Sequence, residues 1–313
     1  MSIDQAGRIA LSGTTMGTRW SAVVYASDVV AHDLNAALQA AVDDVDNTMS
    51  TWKADSDLMR LNRTPPGVWL DVAPPLCAVV ALGLQIGHAS QGAFDIGVGA
   101  HVNAWGFGAR RGQPDAMAIA EVSKPGRGEP SVEVDLPRSR LRRTGLAQID
   151  LSGIAKGYGV DCLADVLIAR GRADFIVSID GEVRASGTRP DGSGWTVGLE
   201  RPDRTQRALG RTIEVSDLAI ATSGDYRHWH PYGDGIVSHT IDPHTGAPLH
   251  GAVCAVTVTA EHCAVADAWA TALMVLGEHG GPAMARKLGL DAVFTLRRGE
   301  ALQEICVGAF APA

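Results

Sequence analysis

Asp267-Ala268-Trp269-Ala270-Thr271 sets a carboxylate and a hydroxyl four residues apart. The alanines and the apolar continuation through Leu273, Met274 and Leu276 predict a helix, and at that spacing both oxygens leave one face near its start. Such a pair can hold a hard cation. Asp150, in Gln148-Ile149-Asp150-Leu151-Ser152-Gly153-Ile154-Ala155-Lys156-Gly157-Tyr158, stands at an expected strand end where a Gly-rich turn enters another helix. The chain thus offers two separated oxygen half-sites. Oxygen donors favour Mg²⁺ or Ca²⁺ over zinc, and Mg²⁺ commonly completes its shell with water and substrate phosphate, so a pyrophosphate would fit. A structural alternative stays open: Asp267 as a carboxylate favoured by the helix dipole, Thr271 as a packed helix residue.

Histidines form a second concentration. Ser223-Gly224-Asp225-Tyr226-Arg227-His228-Trp229-His230 is followed by Ser238-His239-Thr240-Ile241-Asp242-Pro243-His244-Thr245-Gly246, and with His250 five of the ten histidines fall within 23 residues. None of the pairs has the i, i+4 spacing of helical ligands, and Pro and Gly break the region into loops, which disfavours a transition-metal site. His239 stands apart, because the tight turn through Asp242-Pro243 to Gly246 would fix its ring. Its imidazole could donate to a phosphate or take the proton of an attacking hydroxyl. Capping of the same turn is the competing structural role.

The elements that must position these groups follow from periodicity. Leu34, Leu38, Ala41, Val42, Val45 and Met49 recur at helical spacing over 33–50, and a second helix is expected over 75–89, with proline in its first turn. A third is expected over 153–171, with Ala155, Tyr158, Cys162, Val166 and Leu167 on its apolar side. Strands are expected over 11–26 with a turn at 13–18, then at 175–179 and 182–186 around Asp180-Gly181, and at 195–199, 218–222, 251–259 and 292–296. Strands interspersed with long helices, without a regular βαβ period, predict an α+β fold with mixed or antiparallel sheets. The stretch 110–145 is polar and weakly periodic, which predicts a surface excursion between two entwined lobes of one domain spanning 1–313.

At 313 residues and 46% hydrophobic the chain can bury a large core. A formal charge of -8, with no dense basic cluster beyond Arg138 to Arg143, argues against a nucleic-acid partner. Cys77, Cys162, Cys254, Cys263 and Cys306 are odd in number, far apart and without C-x-x-C spacing, so neither a disulfide framework nor a thiolate zinc site is indicated. There is no G-x-x-x-x-G-K-[ST] loop, no dinucleotide fingerprint and no G-x-S-x-G elbow. No apolar run is long enough for a membrane span. The first residues lack a basic segment followed by an apolar one, so the expected compartment is cytoplasmic as written, or periplasmic if an export signal has been removed.

Together the motifs resemble the ApbE family, the FAD:protein FMN transferases. The resemblance rests on Thr15-Met16-Gly17-Thr18, Met49-Ser50-Thr51-Trp52 with Asp57-Leu58-Met59-Arg60-Leu61-Asn62, and Gly92-Ala93-Phe94-Asp95. It continues through Val102-Asn103-Ala104-Trp105-Gly106-Phe107-Gly108, the Asp150 to Tyr158 segment, Gly181-Glu182-Val183-Arg184-Ala185-Ser186-Gly187 and Ala221-Thr222-Ser223-Gly224. Ser238 to Pro243 with Thr245-Gly246, and Asp267 to Thr271, complete a series that keeps the family's order over about 13–277.

The resemblance implies a T-fold-related architecture and a Mg²⁺-dependent transferase that splits FAD, attaches FMN by a phosphoester to a Thr or Ser of an acceptor protein, and releases AMP. By resemblance, Asp267 and Thr271 supply side-chain metal ligands, and the turn from Gly153 to Ala155 supplies a backbone carbonyl. Asp150 and Lys156 flank that turn in a segment that contacts FAD. Met16, Trp52, Ala93, Phe94, Asp95 and Thr240 match flavin- or nucleotide-lining positions, Trp52 standing where Tyr is frequent. His239 matches the family's histidine, with Asp150 the other candidate catalytic group. Asp180 departs from a common Gly and would repel a phosphate that it faced; Ala100 and His101 replace a Pro-Leu pair. The rival readings are a flavin carrier that binds FAD without transfer, and an FAD pyrophosphatase that uses water in place of the acceptor hydroxyl.

Overall fold

The computed structural model describes residues 7–25, 31–109, 112–122, 132–233 and 235–311. Residues 1–6, on which the expected compartment partly rests, and 110–111 and 123–131 of the polar excursion lie outside the described residues.

An eight-stranded antiparallel sheet carries the molecule, in the order Arg8–Thr15, Thr18–Tyr25, Phe175–Ile179, Glu182–Ser186, Leu218–Gly224, Val253–Ala260, Asp291–Arg298, Ala301–Val307. The α+β class holds. Two hairpin turns need left-handed backbone, Met16-Gly17 (φ 45 and 73) and Asp180-Gly181 (φ 52 and 110), the pattern of two-residue hairpins whose twist matches the strands. The first turn is shorter than the spacing 13–18 predicts, because Gly13 to Thr15 pair with Trp20 to Thr18 and stay in the sheet.

Helices α1 (Ala31–Met49), α2 (Asp57–Arg63), α3 (Pro74–Ala89), α4 (Gly99–Ala104), α5 (Ala116–Val122), α6 (Ala155–Ala169) and α7 (Cys263–Leu288) complete the layers. The stripe Leu34, Leu38, Val42, Val45 and Met49 of α1 is buried, with Leu34, Leu38 and Val42 against Trp20, Val24, Phe175 and Val177 of the sheet. The opposite face is covered by a two-stranded ribbon, Trp195–Glu200 with Leu209–Val215, through Val183, Ile220, Trp195 and Val215. Among the described residues no helix is long and apolar enough to cross a membrane.

Two sequence expectations need correction. In α6 the expected Ala155 and Leu167 are buried, but so are Val160, Leu163 and Ala164, together with Gly157, Gly159 and Asp161, whereas Tyr158, Cys162 and Val166 are only partly covered where they pack on the core. The helix is enclosed by α1, α7 and the sheet, so small and even charged residues face inward where apolar periodicity alone gives no signal. The excursion 110–145 is likewise not irregular throughout. It holds α5 and the strands Val132–Asp135 and Arg140–Arg143, which pair with Leu70–Asp71 in a three-stranded sheet. Cross-strand pairs Glu133 with Arg142 and Asp135 with Arg140 supply the polar face, and Trp69 lies beneath both arginines with ring centroids 5.2 and 4.7 Å from their guanidinium carbons. Val132 and Leu141 close the buried face.

Candidate active site

The candidate site is built on the contact between α6 and α7. Gly157 makes that contact possible: a Cβ there would come within 2.4 Å of the Cys263 carbonyl oxygen and 2.8 Å of the Asp267 Cβ. Neither helix caps its own start, for the N-cap residues Ile154 and His262 make no side-chain cap bond. Each is capped by the other. Asp267 Oδ2 accepts the Gly157 N–H at 3.0 Å in the first turn of α6, and Asp161 of α6 accepts the N–H groups of Cys263 and Ala264, one on each carboxylate oxygen, both at 2.9 Å.

Asp267 is almost wholly buried, and burial holds its carboxyl above the ordinary carboxylate range against the opposing pull of Lys156 and the Gly157 N–H. Its Oδ1 makes no hydrogen bond among the described residues and is not among the sealed polar atoms, so one oxygen remains available. One helical turn on, the Thr271 hydroxyl shares a 2.9 Å hydrogen bond with Ser223 Oγ of the strand Leu218–Gly224. Gly153 lies over that hydroxyl: a Cβ at Gly153 would sit 3.3 Å from Thr271 Oγ1 and 3.1 Å from the Phe94 ring. The turn from Gly153 to Ala155 and the α7 pair are therefore neighbours. Among the described residues no three His, Cys, Asp or Glu side chains gather as a metal cluster. A carboxylate oxygen, a hydroxyl and a nearby backbone turn are the donors at hand, a hard set that suits Mg²⁺ completed by substrate oxygens.

Lys156 supplies positive charge beside this pair. Its Nζ lies 2.5 Å from Glu182 Oε1 and 3.8 Å from Asp180 Oδ2. Burial alone would lower its pKa, but Glu182, Asp267 and Asp180 more than reverse that and hold the ammonium charged. Burial pushes Glu182 up while Lys156 pulls it back, and its Oε2 is sealed without a partner among the described residues. Asp180 therefore pairs with Lys156, which answers part of the repulsion expected of it.

His239 follows the hairpin Trp229–Tyr232 with Gly235–Ser238, a region that sequence reasoning left as loops; Pro231 fits because so short a ribbon leaves an edge open. Its backbone N–H donates to the His228 carbonyl at 3.0 Å, and its ring stands edge-on to His228 at 5.3 Å and Phe107 at 6.3 Å. Nδ1 is buried without a hydrogen-bond partner among the described residues. Burial first, then the charges of His228 and Lys156, lower its pKa to about 4, so the ring is neutral at neutral pH.

The remaining candidates divide. Phe94 and Ala93 are buried, with the Phe94 ring beside Gly153; they follow the left-handed pair Gln91-Gly92, and Ser90 Oγ accepts the Phe94 N–H. Asp95 is exposed and accepts the Gly97 N–H. Met16 rests against Gly159 of α6 and adjoins a surface depression of about 460 Å³ walled also by Asp43 and Asp46. Trp52 is 54% exposed in the turn after α1. Thr240 is buried, its carbonyl taken by the Leu249 N–H. Asp150 Oδ1 accepts the Ser152 N–H and so shapes the turn; among the described residues its side chain makes no other hydrogen bond, and none to His239. Sequence reasoning gave no individual role to Asp161, Arg184, Glu182 or Ser223. An acid inside the apolar run Val160 to Ala164 was the signal available for Asp161.

Fold and site thus define an α+β protein in which an acid–hydroxyl pair, a glycine turn and a charged lysine come together where α6 meets α7. Comparison gives the family. The ApbE family profile matches residues 16–294, and the chain belongs to the ApbE family. A relative from Vibrio cholerae, an FAD:protein FMN transferase, is 34% identical over 98% of this chain and 93% of its own, and one of the same name from Klebsiella pneumoniae is 35% identical over 93% and 85%. Among solved structures, the flavin transferase ApbE from Vibrio cholerae superposes with a TM-score of 0.86 at 32% identity, covering 97% of this chain and 98% of that one. The apo flavinyl transferase ApbE of Pseudomonas stutzeri gives 0.84 at 32% identity, over 98% and 96%.

Proposed function

We propose that this chain transfers FMN from FAD to a Thr or Ser hydroxyl of an acceptor protein. The acceptor oxygen bonds to the phosphorus of the FMN half, the bridging P–O bond breaks, and AMP leaves with the bridging oxygen. The observation that carries the reading is the meeting of Asp267, Thr271, the Gly153 turn and the charged Lys156 in a member of this family. Asp267 and Thr271, with a carbonyl of the Gly153–Ala155 turn, would hold Mg²⁺, which when bound supplies Lewis-acid charge neutralisation at the pyrophosphate.

The chain's own residues do the rest. Lys156, fixed by Glu182, presents an ammonium to the anionic substrate. Trp52 offers an exposed aromatic face to the flavin or adenine ring, and the buried Phe94 backs the Gly153 turn. His239, neutral at physiological pH, takes the hydroxyl proton as the new P–O bond forms, and the substrate's negative charge beside the ring would raise its basicity.

The test is incubation of the full chain with FAD, Mg²⁺ and a Thr-containing acceptor, read by acceptor mass and AMP release. His239→Asn should keep FAD binding and lose about 10² to 10⁴-fold in transfer. AMP release without acceptor modification would replace transfer by hydrolysis. FAD binding with neither product would leave a flavin carrier.

A further inference from the structure

We infer that Ser223 is a positioning residue for the cation site: its Oγ accepts the Thr271 proton and so turns a Thr271 lone pair toward the ion. The inference rests on the reading of Asp267 and Thr271 as ligands. Its own observations are the 2.9 Å contact between the two hydroxyls and the absence of any other side-chain hydrogen bond for either one among the described residues.

A hydroxyl has one proton and two lone pairs, so a hydroxyl that gives a lone pair to a cation must send its proton elsewhere. Thr271 has few places to send it. Gly153 covers it on one side, and the residues flanking it on α7, Ala270 and Ala272, are buried and carry no acceptor side chain. Ser223 arrives from the sheet: Ala219, Ala221 and Ser223 alternate along one face of the strand, and Ala221 belongs to the core that α7 covers. Thr222, on the other face, is engaged with the Thr257 hydroxyl across the ladder and is not a substitute. Once Ser223 accepts, its own proton points away from Thr271 and has no acceptor among the described residues. The two hydroxyls then form a chain of fixed polarity, each bond strengthening the next.

The reverse polarity, Ser223 donating to Thr271, predicts the opposite behaviour. It would consume a Thr271 lone pair and leave the Thr271 proton aimed toward the cation. Removing Ser223 would then leave cation binding unchanged or improve it.

The measurement is Mn²⁺ affinity, followed by electron paramagnetic resonance on the full chain with FAD and no acceptor, beside melting temperature. Ser223→Ala should weaken Mn²⁺ by about 10 to 100-fold, as loss of a ligand-orienting partner does, with FAD affinity measured without metal unchanged. Ser223→Thr, which keeps the hydroxyl, should restore Mn²⁺ affinity. Mn²⁺ affinity of Ser223→Ala equal to or tighter than wild type overturns the inference, and so does weakening that tracks a fall in melting temperature and is not rescued by Ser223→Thr. Asp267→Asn and Thr271→Val report on the underlying reading: if neither weakens Mn²⁺, the ligand assignment itself fails, whatever Ser223→Ala does.

Discussion

Asp161 and Asp267 are two buried carboxylates that do the same backbone task in opposite directions, yet their surroundings differ. Asp161 has both oxygens on N–H groups of α7 and a guanidinium as well, Arg184 at 2.8 Å. Asp267 spends one oxygen on α6, keeps the other unbonded among the described residues, and faces Lys156, whose ammonium is shared with Glu182 and Asp180. A carboxylate whose lone pairs and charge are answered within the protein is a structural clamp. One that is half answered, beside a cation that is itself held in place, is set for a ligand. The helix pair therefore has a closed end and an open end, and only the open one adjoins Thr271 and the Gly153 turn.

The sharpest test of this contrast replaces each acid in turn. Asp161→Ala leaves two helix N–H groups without their acceptor and Arg184 with only its 3.9 Å contact to the exposed Asp165, and should cost about 3 to 5 kcal/mol in urea unfolding. Transfer per folded molecule should stay within about tenfold of wild type, since Asp161 touches no reacting group. Asp267→Ala should do the converse: about 1 kcal/mol of stability for a lost cap, and at least about 10²-fold in transfer. Equal stability losses in the two variants would break the contrast.

A smaller effect is expected where the helices touch. Gly157→Ala places a methyl against the Cys263 carbonyl and Asp267 itself, both rigid, so it should cost about 1 to 3 kcal/mol and reduce transfer by displacing the open end. Gly159→Ala on the same helix meets only the side-chain tips Ile179 Cδ1 and Met16 Cε, which can give way. With alanine's advantage of about 1 kcal/mol over glycine inside a helix, it should be near neutral. A Gly159→Ala loss as large as that of Gly157→Ala would mean that general crowding governs α6, not the α6–α7 contact.

The pH response separates His239 from both ends. Its folded pKa of about 4 lies below the ordinary 6.5, so the neutral ring's contribution to stability is fully present above about pH 6.5 and is lost as pH falls toward 4. His239→Asn should remove that part of the acid slope while leaving stability at pH 8 close to wild type. An unchanged slope between pH 6.5 and 4 would place the ring in solvent.

Much of the open end was legible in the sequence, and the closed end was not. The i, i+4 spacing of Asp267 and Thr271 and the glycine turn at 153 are local signals, and α7 and α6 carry them where expected. The strand pair around Asp180-Gly181 was equally plain, because two left-handed residues between β-rich runs have few other uses. Asp161 is 102 and 103 residues from the N–H groups it caps, and Ser223 is 48 from Thr271, so neither partnership leaves a mark in any short window. The strands at 132–135 and 140–143 were obscured for a related reason: each is only four residues long, so the alternation Val132-Glu133-Val134-Asp135 is too brief to stand out, and Val132 and Leu141 join a core built from distant parts of the chain.

The smallest effect belongs to the aromatic that neither carboxylate orders. Trp52 is 54% exposed, and its backbone N–H is held by Ser50 Oγ at 3.1 Å, so the turn keeps its shape when the ring is removed. An exposed indole contributes little to folding, but a ligand ring stacked on it gains about 1 kcal/mol beyond the area it buries. Trp52→Ala should therefore weaken FAD by roughly fivefold in a flavin fluorescence titration, with melting temperature and Mn²⁺ affinity unchanged. Trp52→Tyr, which keeps an aromatic face, should recover most of that. The variant carries the contrast one step further: with both helix ends intact, transfer at saturating FAD should match wild type, because the ring binds substrate and the open end acts on it. A fall in the saturated rate would draw Trp52 into the reacting site, and unchanged FAD affinity would remove it from the pocket.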